Sequence, residues 1–238
     1  MSWSPTYRGY RTVGLVVKPL MRFWFRIRTE GAEHVPATGP VILAANHRSN
    51  VDPVLLACAL RRPVSFMTKI ELFVGPLAWI LRLIDQFPVR RGSVDREALR
   101  HSSAVVAAGG ILGLFPEGAR GDGSFSTIHS GLAYIVLRQP CPVLPVAIFG
   151  TERVRRRFGW LPLASPVRIV VGPPIEGLGL GAGRAGRRSA TEELGHKLRE
   201  FLLGVQAKAT RDPSAGSSPT APPSPPTSMA HRPPTSDR

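Results

Sequence analysis

The sequence predicts an α/β fold: a mostly parallel central sheet flanked by helices. Short, fully apolar runs of strand length alternate with longer segments of helix length, a pattern typical of a parallel sheet with helical crossovers. Hydrophobic residues make up 43% of the 238, enough for a core, so a wholly disordered chain is excluded. Two cysteines are too few for a disulfide framework, which favours a reducing, cytosolic setting.

Residues 1–26 are predicted to form an N-terminal amphipathic helical segment. Residues 7–25 contain both aromatic and cationic side chains, which suits a helix lying at a lipid interface; a helix packed on the domain with solvated charges is the alternative. No stretch reaches the roughly 18 apolar residues of a spanning helix. The apolar run at 13–17 is short and lacks a cleavage site. The expected location is peripheral, on the cytoplasmic face of the cell membrane.

Residues 27–211 carry the predicted elements of the folded domain. Asp52, as N-cap, and Pro53 open one helix, and a Gly-Gly pair at 109–110 ends another. Ser189 and Glu192 have capping-box spacing in the final helix. The predicted strands cover residues 40–45, 64–68, 111–115, 143–149 and 167–171. The predicted helices begin at 52 or cover 71–84, 96–108, 130–138 and 191–206.

The last segment, residues 212–238, differs in kind from the rest. It contains eight prolines and six serines and no aromatic residue, so it is predicted to be a disordered tail. Its charges cancel, and the net charge of 31 − 16 = +15 therefore belongs to residues 1–211. A domain this basic indicates an anionic partner: nucleic acid, anionic lipid or a phosphorylated substrate. The sequence has no zinc-finger spacing, RNP-type strand or basic zipper, which argues against nucleic acid.

The first polar motif, at residues 46–52, directly follows an apolar strand, where ligands bind in α/β sheets. His47 and Asp52 are five residues apart across a turn, which suits a general base and the carboxylate that orients it. The alternative is a loop histidine beside an aspartate that only caps the helix.

A second motif, at residues 115–120, also follows an apolar strand. Gly118 permits unusual backbone angles, and the guanidinium of Arg120 suits a phosphate. A third block, residues 87–91, ends in adjacent arginines, which are more often solvated than bound to phosphate.

Together these motifs resemble the glycerolipid acyltransferases of the lysophosphatidic acid acyltransferase type, that is, 1-acylglycerol-3-phosphate O-acyltransferases. The mark of that family is N-H-x-x-x-x-D followed by F-P-E-G; here these are residues 46–52 and 115–118. The resemblance makes Arg91 the phosphate-binding arginine and matches Lys69 to a usual family lysine. It also has departures: Ala119 replaces a common threonine, and His129 replaces a common lysine. These departures leave the acceptor head group open.

The resemblance implies transfer of a fatty acyl group from acyl-CoA or acyl carrier protein to the free hydroxyl of 1-acylglycerol-3-phosphate, which gives phosphatidic acid. His47 would take the hydroxyl proton while Asp52 holds the imidazole. Backbone N–H groups near Gly118 would stabilise the oxyanion. The side chains that would position the glycerol phosphate are Glu117, Arg91 and Arg120.

Direct transfer is expected, because there is no G-x-S-x-G elbow and neither Cys58 nor Cys141 lies in a catalytic setting. The histidines and cysteines show no metal-ligand spacing, so no metal or other cofactor is expected. The expected partners are the acyl donor, the lysophospholipid and an anionic membrane surface, without nucleic acid.

Other functions stay open from the residues alone. The acceptor could be another lysolipid or a glycolipid precursor, or the chain could be a non-enzymatic basic protein that binds membrane or nucleic acid. The G-x-G-x-x-G match at 181–186 lacks a strand before it and an acidic residue after it, so it is predicted to be a flexible loop. A basic cluster at 153–157, beside Trp160, is predicted to contact anions.

Overall fold

The computed structural model describes residues 7–90, 95–118, 124–125, 129, 131–139, 141–151, 156–158, 161–162, 166–175 and 183–211. The strands are β1 Arg28–Glu30, β2 Val41–Ala45, β3 Val64–Lys69, β4 Phe87–Val89, β5 Ile111–Leu114, β6 Val143–Phe149, β7 Arg156–Phe158, β8 Leu161–Pro162 and β9 Arg168–Val171. The α-helices are α1 Arg8–Trp24, α2 Asp52–Ala59, α3 Gly75–Leu83, α4 Arg96–Ala107, α5 Gly131–Arg138 and α6 Gly183–Arg211. Two short 3-10 turns cover Ala32–His34 and Ile70–Leu72.

Seven of these strands form one sheet in the order β1-β9-β6-β2-β5-β3-β4. Every neighbouring pair is parallel except β6 with β9, which is antiparallel. The predicted α/β class with a mostly parallel sheet is therefore confirmed. β2 lies in the middle, between β6 and β5, so the loop that follows β2 opens at the centre of the carboxyl edge of the sheet.

The core consists of two apolar clusters, one on each face of the sheet. Side chains alternate between them along β2: Ile42 and Ala44 belong to one cluster, and Val41 and Leu43 to the other. The first cluster packs against α4, α5 and α6, and the second against α2. A strand buried on both faces needs apolar residues at every position, which is why β2 reads as an unbroken apolar run.

Helix α1 is tied to the last turn of α2 by three polar side chains. The Tyr10 hydroxyl donates to the carbonyl of Ala57 over 3.0 Å, and Lys18 Nζ donates to that of Leu60 over 2.8 Å. Arg22 Nη1 donates to the carbonyl of Ala59 over 3.3 Å. The last carbonyls of a helix lack partners within the helix and carry its negative dipole end. Two cations and a hydroxyl therefore fasten α1 where α2 ends.

Two sequence predictions near the C-terminus are wrong. Helix α6 begins at Gly183, so residues 183–186 are helical rather than a flexible loop, and Ser189 lies inside the helix rather than at its cap. The reason is packing: Gly186 is buried four residues before Ala190. It continues the inward stripe that runs on through Leu194 and Leu198. A small buried residue gives little hydrophobic signal, and the flanking arginines are good helix formers.

Other boundaries also differ from the prediction. The helix predicted over 71–84 divides into the 3-10 turn Ile70–Leu72 and α3, because Gly75 takes a φ of +52° and a proline follows it. The three-residue strands β1 and β4 were not predicted, since three residues are too few to show a hydrophobic period.

Residues 153–155 of the basic cluster, the neighbouring Trp160 and the predicted tail at 212–238 lie outside the described residues. No helix in the described part of the chain has both the length and the apolar character needed to cross a membrane.

Candidate active site

The two motifs that follow β2 and β5 meet at one edge of the sheet. The strands are adjacent and parallel, and their register pairs Ala44 with Leu114. The residues after each strand therefore emerge side by side at the carboxyl edge, which is where ligands bind in sheets of this class.

His47 and Asp52 form a buried hydrogen-bonded pair at this edge. Nδ1 of His47 lies 2.9 Å from Oδ2 of Asp52. Asp52 is fully buried, and His47 is 6% exposed. Since a carboxylate only accepts hydrogen bonds, it favours the tautomer with its proton on Nδ1. The other ring nitrogen, Nε2, is then free to accept a proton.

The Asp52 carboxylate faces back into the loop and does not cap α2. Its Oδ2 also accepts from the backbone N–H groups of Arg48 and Ser49, each over 2.7 Å. The prediction of Asp52 as N-cap is wrong: α2 starts at Asp52 itself, and the residue before it, Val51, makes no side-chain cap. One oxygen therefore folds the loop and holds the imidazole, and this requires an acidic residue five positions after His47.

Asn46 fixes the start of the loop. Its Nδ2 donates to the carbonyl of Ile148 over 3.1 Å, and its Oδ1 accepts from the N–H of Ile148 over 2.7 Å. The buried amide therefore takes the place of a backbone pair between the end of β2 and β6. This contact anchors the residue next to His47, a role that the sequence motif did not assign to Asn46.

One face of the His47 ring lies against an aromatic side chain. The ring centroids of His47 and Phe115 are 4.2 Å apart, with 28° between the planes. Phe115 in turn stacks on Phe66 of β3, with centroids 5.8 Å apart. Two residues after Phe115, Glu117 is buried. The F-P-E-G motif therefore contacts the His47–Asp52 pair through its phenylalanine.

Gly118 closes a tight turn after β5. Its N–H donates to the carbonyl of Phe115 over 2.9 Å, and its φ is +67°. That N–H is engaged within the turn, so an oxyanion donor would have to come from a neighbouring group. The exposed His129 lies against this turn: its N–H donates to the carbonyl of Pro116 over 2.8 Å. A Cβ at Gly118 would lie 2.6 Å from Nε2 of His129, so this position needs glycine both for its φ and for the close approach.

Of the three cationic side chains that the sequence predicts at the site, the structure describes only one. Lys69 ends β3, and its Nζ lies 3.5 Å from Oε1 of Glu71 in an exposed ion pair. Within the described ranges, Lys69 makes no contact with His47 or Asp52. Arg91 and Arg120 lie outside the described residues.

An apolar cavity of about 280 Å³ is lined by chain neighbours of Asp52, although neither His47 nor Asp52 is among its lining residues. Asn50 and Pro53, on either side of Asp52, line one part of it, and Phe66 lines another. From there the cavity extends between α1, α2 and α3. Its other lining side chains are mostly aliphatic and include Val13, Val17, Val54, Leu77 and Leu81. Cavities of this kind hold apolar ligands.

Cys58 also lines this cavity, but it is a poor nucleophile. Burial raises the pKa of its thiol to about 11, and burial does the same for Cys141. A thiol with that pKa is almost wholly protonated near neutral pH, whereas only the thiolate attacks. The described cysteines are therefore not candidate nucleophiles, and the candidate base of the site is His47, with Asp52 as its partner.

The surface around the cavity is also apolar. Exposed large side chains cluster on α1 and around α3: Leu15, Val16, Leu20, Phe23 and Trp24 on α1, and Leu72, Val74, Leu77, Trp79 and Ile80 around α3. We call these ten residues the apolar rim. Phe23 is 82% exposed and Trp79 66%. Patches of such residues on a monomer mark an interaction surface.

The chain is similar to several known proteins. The family model described as Acyltransferase matches residues 26–149. An uncharacterised protein of Mycobacterium tuberculosis is 26% identical over 228 residues, which cover 79% of this chain and 63% of that protein. This chain therefore spans less than two thirds of that relative's length.

Two further similar proteins have names that state an activity. The 1-acyl-sn-glycerol-3-phosphate acyltransferase of Bacillus subtilis is 23% identical, covering 81% of this chain and 96% of that protein. The crystal structure of the 1-acyl-sn-glycerophosphate acyltransferase of Thermotoga maritima superposes with a TM-score of 0.58 at 24% identity, covering 82% of this chain and 84% of that one. The structural likeness supports the fold.

Proposed function

This chain belongs to the Acyltransferase family, and we propose that it transfers a fatty acyl group from acyl-CoA or acyl carrier protein to the free hydroxyl of 1-acylglycerol-3-phosphate, giving phosphatidic acid. One observation carries the proposal: the buried His47–Asp52 pair lies at the carboxyl edge of the sheet, and Asn50 and Pro53, its neighbours in the chain, line an apolar cavity. A base beside an apolar cavity suits a reaction in which a hydroxyl attacks a long acyl chain.

The proposed step uses His47 as the general base. Nε2 takes the proton from the acceptor hydroxyl, and the oxygen forms a bond to the carbonyl carbon of the thioester. The carbon–sulfur bond then breaks, and the leaving thiolate takes the proton from His47. Asp52 holds the ring through Nδ1 and stabilises the imidazolium that exists between these two proton transfers.

The acyl chain and the acceptor would approach from different sides. The aliphatic lining of the cavity suits the acyl chain, because burial of each methylene contributes about 0.8 kcal/mol. The turn after β5 suits the polar head. There Glu117 would bind the glycerol hydroxyls, and Arg91 and Arg120 would bind the phosphate through their guanidinium forks. Lys69 would add a further positive charge at the carboxyl edge.

We also propose that the apolar rim docks on an anionic membrane surface at the cytoplasmic face. Its aromatic members suit the interface between head groups and acyl chains. The cavity lies between the same helices that carry the rim, so a docked protein could receive a lysolipid without passing it through water. The net charge of +15 supports attraction to anionic lipid.

Labelled acyl transfer by the purified protein in detergent tests the reaction. Palmitoyl-CoA and palmitoyl acyl carrier protein would be offered to wild type, His47→Ala and His196→Ala. The acceptor would be 1-acylglycerol-3-phosphate and, in parallel reactions, another lysolipid or a glycolipid precursor. His196 is the matched control, since it is an exposed histidine on α6. We expect transfer by wild type and His196→Ala, and a loss of about 10²-fold or more in His47→Ala.

Each other outcome has a definite meaning. Full activity in His47→Ala would refute His47 as the base. Transfer only to a different lysolipid or to a glycolipid precursor would keep the chemistry and replace the acceptor. No transfer to any of these acceptors from either donor would refute the proposed function.

Vesicle flotation tests the membrane contact. Phe23→Ser and Trp79→Ser should weaken binding to vesicles that contain phosphatidylglycerol. Leu203→Ser should not, although Leu203 on α6 is 63% exposed, because it lies outside the apolar rim. Equal loss in all three variants, or tighter binding to a DNA duplex than to vesicles, would contradict the membrane proposal.

A further inference from the structure

Asp52 holds the loop after β2 and one edge of the His47 ring by hydrogen bonds, but these bonds do not contact the faces of the ring. Asp52 fixes one edge of the imidazole through Nδ1, but a single hydrogen bond allows the ring to rotate about that contact. The stack on Phe115, with centroids 4.2 Å apart and 28° between the planes, removes this freedom, because a rotated ring would collide with the phenyl face.

Phe115 is itself held in place from behind. Phe66 lies parallel to it within 16° and is nearly fully buried. Phe66 pairs across the sheet with Gly113 of β5. A Cβ at Gly113 would lie 2.8 Å from Cζ of Phe66, so only glycine leaves room for the ring to lie across the strand. A glycine in the middle of a strand usually weakens it; here it makes space for a column of three rings that ends at His47.

The stack also has an electrostatic effect. A cation over an aromatic face within about 6 Å of the centroid is attracted by the ring quadrupole. In the proposed step, His47 becomes a cation when it takes the proton from the acceptor. The attraction between the two rings is therefore stronger when His47 is charged than when it is neutral. A contact that strengthens during the reaction raises kcat, whereas one that is equally strong throughout only tightens binding. Asp52 is the anion that faces the same ring, and Glu117 and His129 are the titratable groups on the turn after Phe115.

We propose that Phe115 is a positioning residue for His47: it fixes the plane of the imidazole and stabilises the imidazolium during transfer. This inference rests on the proposed function for its catalytic part. The positional part stands on the ring geometry and can be measured without any substrate.

The substrate-free measurement is the NMR spectrum of the histidine ring protons. The chain has six histidines, and the His47 signals are those lost in His47→Gln. Phe115 shields these protons, so we expect them to move downfield in Phe115→Leu and to stay nearly in place in Phe115→Tyr. His101 gives an internal control, because it packs edge-on against Phe87 with centroids 5.6 Å apart. Its signals should respond to Phe87→Leu and not to Phe115→Leu.

The kinetic measurement separates positioning from general destabilisation. Phe115→Leu should lower kcat by about tenfold and leave KM for both substrates within about twofold. Phe115→Tyr keeps the ring and should restore kcat to within about threefold. Phe87→Leu removes a comparable buried ring from β4 and should lower the melting temperature without this loss of kcat.

Opposite results would overturn the inference. His47 signals that do not move in Phe115→Leu would show that the stack does not exist in solution. An equal loss of kcat in Phe115→Tyr and Phe115→Leu, or in Phe87→Leu, would reduce Phe115 to a packing residue. If wild type transfers no acyl group, the proposed function fails, whereas the NMR result still decides whether Phe115 positions His47.

Discussion

Asp52→Asn tests whether the buried carboxylate serves catalysis or only the loop. The substitution keeps the shape of the side chain and removes its charge. Oδ2 of Asp52 accepts from His47 Nδ1 over 2.9 Å and from the backbone N–H groups of Arg48 and Ser49 over 2.7 Å each. A hydrogen bond to a charged group contributes about 1.5–3 kcal/mol and a neutral one about 0.5–1.5 kcal/mol, so the two backbone bonds together should lose about 2 kcal/mol.

For a chain of this size, that loss lowers the melting temperature by roughly 4–8 °C. The catalytic loss should be larger. An amide can donate to Nδ1 and so hold the wrong tautomer, with no charge to stabilise the imidazolium. In Ser-His-Asp enzymes the equivalent change costs about 10⁴ in kcat. We expect Asp52→Asn to lower kcat by about 10²–10⁴ with a smaller change in KM.

Steady-state acyl transfer and thermal unfolding, measured on the same preparations, give both quantities. Glu30→Gln is the control: it removes a carboxylate that is paired with Arg168 at the far edge of the sheet, 2.7 Å from its Nε. This variant should transfer at the wild-type rate. If Asp52→Asn lowers the melting temperature as expected but keeps kcat within about tenfold of wild type, the carboxylate only folds the loop, and the proposed pairing of base and orienter is refuted.

Three further variants give checks of other contacts. Asn46→Ala leaves two buried backbone groups of β6 unpaired and should lower the free energy of unfolding by about 2–4 kcal/mol, measured in urea. Gly118→Ala should lower kcat, because the new Cβ is strained at a φ of +67° and meets the ring of His129; adding His129→Ala should restore part of the loss, and no restoration would contradict the ring contact. Backbone N–H groups, that of residue 90 foremost, lower the pKa of Asp95 below its ordinary value of 3.8, so this carboxylate stabilises the fold above that value and ceases to do so as the pH falls through its lowered pKa. The melting temperatures of wild type and Asp95→Asn should therefore differ at about pH 6 and converge towards about pH 2; a constant difference would show that the charge plays no part.

The sheet was predictable because it is buried on both faces. β6 covers Val143–Phe149 as predicted, and β2 differs by one residue, since continuous apolar runs between polar loops leave little choice of boundary. α6 was less predictable, because Gly186, the first of its residues whose burial the structure describes, is a buried glycine. Pattern reasoning recognises apolar side chains and gives no weight to a buried residue that has no side chain.

The site was predictable where its partners are close in the sequence. His47 and Asp52 are five residues apart, and a turn is enough to join them. The contacts of Phe115 and Asn46 were not predicted, because their partners His47 and Ile148 are 68 and 102 residues away in sequence. One signal for the aromatic column was present: Gly113 in the middle of an otherwise apolar strand, where a missing side chain indicates that another group occupies the space.

The fastening of α1 to the end of α2 determines how a docked protein would be oriented. Helix α1 is hydrogen-bonded to the last turn of α2, whereas Asp52 lies in the first turn of α2. The His47–Asp52 pair therefore lies about the length of α2, roughly 12 Å for eight residues, from the place where α1 is attached. If the protein docks through the apolar rim as proposed, no flexible linker would separate α1 from the loop that carries His47. The pair of helices would then act as a spacer of fixed length and would set the depth at which a lipid hydroxyl must be presented to react.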